Sequence, residues 1–146
     1  LKVIAMKKSC TDQTLLKVLV VEDSIDLQLL LRAMLSEISG VEVIASVESE
    51  EEALEAIRSS CTDLAIVDLE LDSGTGLGVL KNLFESPELN KHPVSVVVFS
   101  NYSNLVIRHR CLSLGAKAFF DKSFQVEELL EFVQVQASCK AKDLSA

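Results

Sequence analysis

Leu64-Ala-Ile-Val-Asp-Leu-Glu-Leu71 is the stretch that decides the fold, because four apolar residues run directly into the carboxylate of Asp68. A short, continuous apolar run of this kind is typical of a strand buried on both faces of a parallel sheet. In such sheets ligands bind outside the carboxyl ends of the strands. Three further runs have the same layout and predict that their terminal polar side chains meet at one edge: Lys17–Val21 before Glu22 and Asp23, Val94–Phe99 before Ser100, and Ala118–Phe120 before Asp121 and Lys122.

Helical patterns alternate with these predicted strands. The first strand is followed by a helix from about residue 25 to 38, whose apolar residues recur at helical spacing, and Gly40 is a plausible stop. Val41–Ala45 is the predicted second strand, and Ser49 with Glu52 forms a capping-box pattern that opens the next helix. Alternating strands and helices predict an α/β protein with right-handed crossovers, a doubly wound sandwich of three layers.

The bulk composition limits the class of protein. The chain has 146 residues, 49% of them hydrophobic, and a net charge of −8, which fits one domain and disfavours direct nucleic-acid binding. Its apolar runs are too short for a membrane span. The four cysteines form no CxxC pair, which favours free thiols and a cytoplasmic location. We expect a flexible N-terminal extension at residues 1–16, the domain at 17–138 and a tail at 139–146.

The predicted edge residues suit phosphoryl chemistry. Two carboxylates about 4 Å apart repel by about 4 kcal/mol at an effective dielectric near 20, so Glu22, Asp23 and Asp68 must raise a pKa or bind a cation. Mg²⁺ prefers such oxygen ligands, and a carboxylate can act as a nucleophile toward phosphorus. Lys122 and Ser100 can contact phosphate oxygens. Each residue alone has an ordinary explanation as a cap, turn or surface residue, and only their conjunction favours the site.

These motifs resemble the receiver domain of bacterial two-component response regulators, over about Lys17 to Ala137. Val18-Leu-Val-Val-Glu-Asp-Ser24 is similar to the family's first-strand acidic motif. The segment 64–71, followed by Gly76-Leu-Gly-Val-Leu80, is similar to its phosphoacceptor segment. The resemblance implies a flavodoxin-like fold with five parallel strands in the order 2-1-3-4-5.

The resemblance also implies roles for the site residues. Asp68 would accept a phosphoryl group from a sensor histidine kinase or a histidine phosphotransfer protein. Mg²⁺ would be bound by Asp23 and Asp68, by Glu22 through water and by the backbone carbonyl of Glu70. Ser100 and Phe119 match the switch residues, and Lys122 matches the lysine that pairs with the acids.

The implied output is a change in a partner-binding face on the fourth helix, fifth strand and fifth helix. Arg108, His109 and Arg110 would form an exposed basic spot there, or an ordinary solvated helix face. The downstream protein is unknown, and the same face can support a homodimer. Ser123 and Asp72 depart from the family pattern, since many members have proline at both positions.

Three other functions are weighed against this one. A haloacid-dehalogenase-like phosphatase needs a DxD motif and later acids, but residue 70 is glutamate. A flavin-binding flavodoxin needs a phosphate loop after the first strand, where Glu22 and Asp23 would repel phosphate. A receiver module that binds its partner without phosphorylation is the alternative that stays open.

Overall fold

The structure is a computed structural model that describes residues 13–90, 92–102 and 104–145. Strands and helices alternate as the sequence predicts. A 3₁₀ helix at Pro87–Asn90 lies between the third helix and the fourth strand. The strands are β1 (Leu16–Val21), β2 (Val41–Val47), β3 (Leu64–Val67), β4 (Ser95–Ser100) and β5 (Ala118–Asp121), and the helices are α1 (Ile25–Ser36), α2 (Glu50–Ser59), α3 (Gly76–Glu85), α4 (Leu105–Ser113) and α5 (Val126–Ser145).

All neighbouring strands pair in parallel, in the order β2-β1-β3-β4-β5. This confirms the predicted flavodoxin-like topology. The six residues of β1 and the four of β3 are all buried, because both faces of these central strands are covered by helices. In register, Val21 lies opposite Val67 and Val67 opposite Val98, so β1, β3 and β4 reach the carboxyl edge together.

Two hydrophobic clusters fill the space on either side of the sheet. Helices α1 and α5 cover one face, chiefly through Leu31, Leu35, Leu129, Val133 and Ala137. Helices α2, α3 and α4 cover the other face, chiefly through Ala53, Ile57, Val79, Leu80 and Cys111. The sandwich therefore has the three predicted layers, with the strand ends left open for a site.

The helix ends mostly follow their sequence signals. Ser24, Ser49, Thr75 and Asn104 each cap the following helix, through a side-chain oxygen that accepts a backbone N–H. Gly40 and Gly115 adopt positive φ angles of 86° and 102° after α1 and α4. Helix α5 continues to Ser145, so it includes most of residues 139–146, which were expected to form a tail. The predicted flexible extension falls mostly on residues 1–12, which lie outside the described residues.

The cysteines follow the expectation of free thiols only in part. Cys111 is buried and Cys139 exposed, and both are free; burial raises the pKa of the Cys111 thiol. Cys61 is instead disulfide-bonded, which corrects that expectation. Distance along the chain does not exclude a disulfide, because the separation of the Cα atoms in the fold decides whether one forms. The expectation for Cys10 lies outside the described residues.

Candidate functional site

The ends of β1 and β3 bring the predicted acidic residues together. The backbone N–H of Asp68 donates to the carbonyl oxygen of Val21 at 3.0 Å, which places the residues after the two strands side by side. Glu22, Asp23 and Asp68 each offer a carboxylate oxygen, and these oxygens all lie within 4.8 Å of one another. The parallel register thus builds the acidic cluster that the sequence predicts.

Most of this cluster is withdrawn from solvent. Glu22 is 2% exposed and Asp68 is 6% exposed, whereas Asp23 is half-buried. Burial, opposed by a hydrogen bond from Lys122, raises the pKa of Glu22 above its ordinary value. Three closely spaced hard oxygen donors, one of them open to solvent, match what Mg²⁺ prefers, because this ion keeps several water ligands. The donor set therefore fits a magnesium ion.

Lys122 is the cation that the fold supplies to this cluster. Its Nζ atom lies 2.7 Å from Oε1 of Glu22 and 2.8 Å from Oδ2 of Asp68. Burial by itself would lower the pKa of Lys122, but the hydrogen bonds to Asp68 and Glu22 outweigh it and raise this pKa. The ammonium is thus held in its charged form between the two carboxylates.

The two predicted switch residues, Ser100 and Phe119, make contacts with residues outside the acidic cluster. Ser100 ends β4 fully buried, and its hydroxyl oxygen accepts a hydrogen bond from the N–H of Tyr102 at 3.1 Å. Phe119 is buried on β5, and the Arg108 guanidinium lies 4.9 Å from the centre of its ring. Arg108 is therefore half-buried against Phe119, which corrects the expectation that it joins His109 and Arg110 in an exposed basic spot.

The loop from Asp68 to Thr75 carries the remaining predicted residues. The N–H of Glu70 donates to Oδ1 of Asp68 at 3.3 Å, while the Glu70 side chain is exposed. Asp72 is also exposed, and its pKa is raised by a hydrogen bond to Asp23, which the protonated Asp72 carboxyl donates, and by repulsion from the Asp23 charge. The carboxylate at position 72 that departs from the family pattern thus contacts the acidic cluster itself. Ser123 is the other position that departs from the family pattern. The peptide bond between Lys122 and Ser123 is trans, since the described chain contains no cis peptide bond.

Sequence reasoning missed a buried residue that supports the cluster. The side-chain amide of Gln28, on α1, donates to the backbone carbonyl of Glu22 and to that of Val47 at 3.3 Å. These two bonds fix the chain where β1 leaves the sheet. No sequence signal marked Gln28, because a polar residue on an amphipathic helix is ordinarily expected to face solvent.

Comparison with known proteins supports the family expected from the motifs. Residues 18–134 match the response regulator receiver domain family. A protein-glutamate methylesterase/protein-glutamine glutaminase 1 from Syntrophomonas wolfei is 31% identical over 86% of this chain. The match covers 38% of that relative, so the chain spans less than half of its length.

Solved structures share the fold. A CheY-like response regulator receiver domain protein from Methanospirillum hungatei has a TM-score of 0.73 at 21% identity, over 88% of this chain and 98% of that one. The response regulator domain of Thermotoga maritima CheB has a TM-score of 0.70 at 22% identity, over 88% of this chain and 97% of that one. At these identities the likeness concerns the fold alone.

Proposed function

The chain belongs to the response regulator receiver domain family, and we propose that it accepts a phosphoryl group on Asp68. The donor is a phosphohistidine on a sensor histidine kinase or a histidine phosphotransfer protein. The observation that carries this proposal is the convergence of Glu22, Asp23, Asp68 and Lys122 at the carboxyl edge of the sheet. Phosphoryl transfer needs positioned charge more than covalent chemistry by the protein, and this edge concentrates both signs of charge.

The transfer step balances as a substitution at phosphorus. A carboxylate oxygen of Asp68 forms the new O–P bond as the N–P bond of the phosphohistidine breaks. The bonding pair returns to the imidazole nitrogen, which takes up a proton from solvent. Lys122 stays beside Asp68, where its ammonium can contact an incoming phosphate oxygen at a distance comparable to its present 2.8 Å contact.

Metal binding is part of the proposal. Glu22, Asp23, Asp68 and the backbone carbonyl of Glu70 would hold Mg²⁺. When bound, the ion offsets the repulsion between the carboxylates and the incoming phosphoryl group. The chain contributes the ligand set by holding Asp68 and Glu22 almost fully buried, and by leaving Asp23 partly open to solvent.

The output we propose is a change at the face formed by α4, β5 and α5. The phosphoryl group adds about 1.5 to 2 negative charges beside Ser100, whose hydroxyl can turn toward a new oxygen acceptor. Exposed apolar residues on and beside α4 and β5 offer a surface to an unknown downstream protein or a second copy of the chain: Tyr102, Leu105, Val106 and Phe124. Movement of Phe119 and Arg108 would couple Ser100 to this surface.

The test is phosphorylation followed by intact mass measurement. The unchanged protein, incubated with Mg²⁺ and acetyl phosphate or a phosphorylated donor protein, should gain one phosphoryl group, and Asp68→Asn should gain none. Asp63→Asn is the matched control, because Asp63 lies at the other end of the same strand, and it should still be modified. A folded, unchanged protein that gains no adduct from any donor would overturn the proposal.

A partner-binding assay separates this function from a receiver module that works without phosphorylation. Beryllofluoride, which mimics the phosphoryl group, should change the affinity for a downstream protein in the unchanged chain and not in Asp68→Asn. An affinity that is the same with and without beryllofluoride would favour the phosphorylation-independent module.

A further inference from the structure

We propose that Glu50 is a positioning residue that clamps the loop carrying Asp68, Glu70 and Asp72, and thereby sets the affinity of the acidic cluster for Mg²⁺. The inference rests on the proposed function, since it concerns the same metal site. Glu50 is the first residue of α2 and comes from a different segment of the chain from any residue in that site.

Glu50 contacts residues 73–75, the far half of this loop, and also the helix α3 that follows the loop. Its Oε1 atom accepts a hydrogen bond from the backbone N–H of Thr75 at 2.9 Å. Its own backbone N–H donates to the carbonyl of Ser73 at 3.2 Å, beside a parallel bridge between Ser49 and Ser73. A longer contact of 3.5 Å joins Oε2 to the side-chain amide of Asn82. One residue of α2 thus holds the loop through both its backbone and its carboxylate.

Two glycines make room for this carboxylate. A Cβ atom on Gly74 would overlap the Glu50 side chain, and Gly74 also has a φ of +79°. A Cβ atom on Gly78 would overlap the Glu50 carboxylate group itself. Gly78 lies within α3, where its φ is not positive, so its conformation does not require glycine. The space for Glu50 is therefore the feature of the structure that accounts for glycine at position 78.

Electrostatics favours a carboxylate at this place. Helix α3 begins at Gly76 and has no acidic residue in its own first turn. The N-terminal end of a helix carries partial positive charge and unpaired N–H groups, which a neighbouring carboxylate stabilises. Glu50 supplies that charge from α2 and accepts the N–H of Thr75, the N-cap residue of α3.

The near half of the loop, which follows β3 directly, is already fixed against Gly76, the first residue of α3. The N–H of Gly76 donates to the carbonyl of Leu69 at 3.1 Å, and a Cβ on Gly76 would overlap the carbonyl oxygen of Asp68. Glu50 closes the other half, so the residues between, Glu70 and Asp72, are held from both sides. Groups that orient metal ligands from behind commonly change metal affinity about 10- to 100-fold when they are removed.

The test compares Mg²⁺ binding by calorimetry in the unchanged protein, Glu50→Ala and Glu51→Ala. Glu51 is the matched control, because it is the next residue of the same helix, is exposed and carries the same charge. We expect Glu50→Ala to bind Mg²⁺ about tenfold more weakly, and Glu51→Ala to bind like the unchanged protein. Amide hydrogen exchange at Thr75 should become faster in Glu50→Ala only.

Gly78→Ala provides a second variant, in which residue 50 is still glutamate but its carboxylate is pushed out of its place. Alanine is ordinarily better than glycine within a helix, so weaker Mg²⁺ binding here would come from displacement of the Glu50 carboxylate and not from a weaker α3. We expect Gly78→Ala to reproduce the loss seen in Glu50→Ala, and to add little when combined with it.

The outcomes separate this inference from the proposed function. Equal Mg²⁺ affinity in the unchanged protein, Glu50→Ala and Gly78→Ala would overturn the clamp and leave the phosphoacceptor proposal standing. An unchanged protein that binds no Mg²⁺ would overturn the metal site and the clamp together.

Discussion

The two ends of strand β3 each carry an aspartate that pairs with a lysine, and they differ in how the negative charge is matched. Asp63 precedes the strand and Asp68 follows it. Asp63 pairs with Lys140 at 2.6 Å, and Asp68 with Lys122 at 2.8 Å. Viewed as ion pairs alone, the two ends look alike, so the difference between them lies in their surroundings.

At the amino end one carboxylate has several donors. Oδ2 of Asp63 accepts from Lys140 and from the backbone N–H of Lys17 at 2.8 Å, while Oδ1 lies 2.9 Å from Nε2 of His92. Burial by itself would raise the pKa of Asp63, but the hydrogen bonds from Lys140, Lys17 and His92 prevail and lower it. The negative charge is satisfied, so this end needs nothing further.

At the carboxyl end several carboxylates share one paired cation. Within the described part of the chain, Glu22, Asp23 and Asp68 form one cluster with Lys122 as its paired cation. The pKa of Glu22 is raised, chiefly by burial. At the amino end the charge of one carboxylate is matched by Lys140 and its other hydrogen-bond partners, whereas at the carboxyl end three carboxylates share one paired cation, which is what the proposed site requires. An excess of buried negative charge is what a metal ion and a phosphoryl group can use.

The largest expected effect is the difference between the two ends in the stability lost when the lysine of each end is replaced by alanine. Lys122→Ala leaves two nearly buried carboxylates without a cation, so we expect the free energy of unfolding to fall by about 3 kcal/mol. Lys140→Ala should cost only about 1 kcal/mol, because Asp63 keeps Lys17 and His92. Urea unfolding without metal measures both. Equal losses in the free energy of unfolding would contradict the proposed difference in how the carboxylate charge is matched at the two ends.

A smaller effect, with a defined pH dependence, should come from Asp63 itself. Asp63→Asn removes a charge that accepts several hydrogen bonds, and should cost about 2 kcal/mol at neutral pH. Because the folded pKa lies below the ordinary value of 3.8, this contribution is fully present above that pH and is lost as pH falls through the folded pKa.

Urea unfolding of the unchanged protein and Asp63→Asn at pH 7 and near pH 3 tests the sign of this effect. The gap between the two proteins should narrow in acid. A gap that widens in acid would contradict a lowered pKa at Asp63.

The smallest expected effect is the gain from Mg²⁺. At a free concentration ten times the Kd, the ion should stabilise the unchanged protein by about 1.4 kcal/mol, and a chelator should reverse the gain. Asp63→Asn should keep this gain, because the amino end holds no acidic cluster among the described residues. Asp23→Asn should lose most of it. Thermal unfolding with and without Mg²⁺ would contradict the assignment if both variants gained equally.

Much of the carboxyl end was predictable because it depends on strand order alone. Parallel strands bring the residues that follow them to one edge, so Glu22, Asp68 and Lys122 are predicted to meet from their places after three apolar runs. The amino end gave no such signal. Asp63 and Lys140 are 77 residues apart, and neither follows a strand in a recognisable motif.

The sequence alone therefore determined the alternating elements, the parallel sheet and the edge at which the acids and the lysine meet, because burial and periodicity are written into the order of apolar residues. Only the tertiary structure decided that Gln28 holds Glu22, that Arg108 covers Phe119 and that Glu50 fits between Gly74 and Gly78. These contacts depend on the directions and lengths of side chains from separate segments. Such geometry exists only after the layers have packed together.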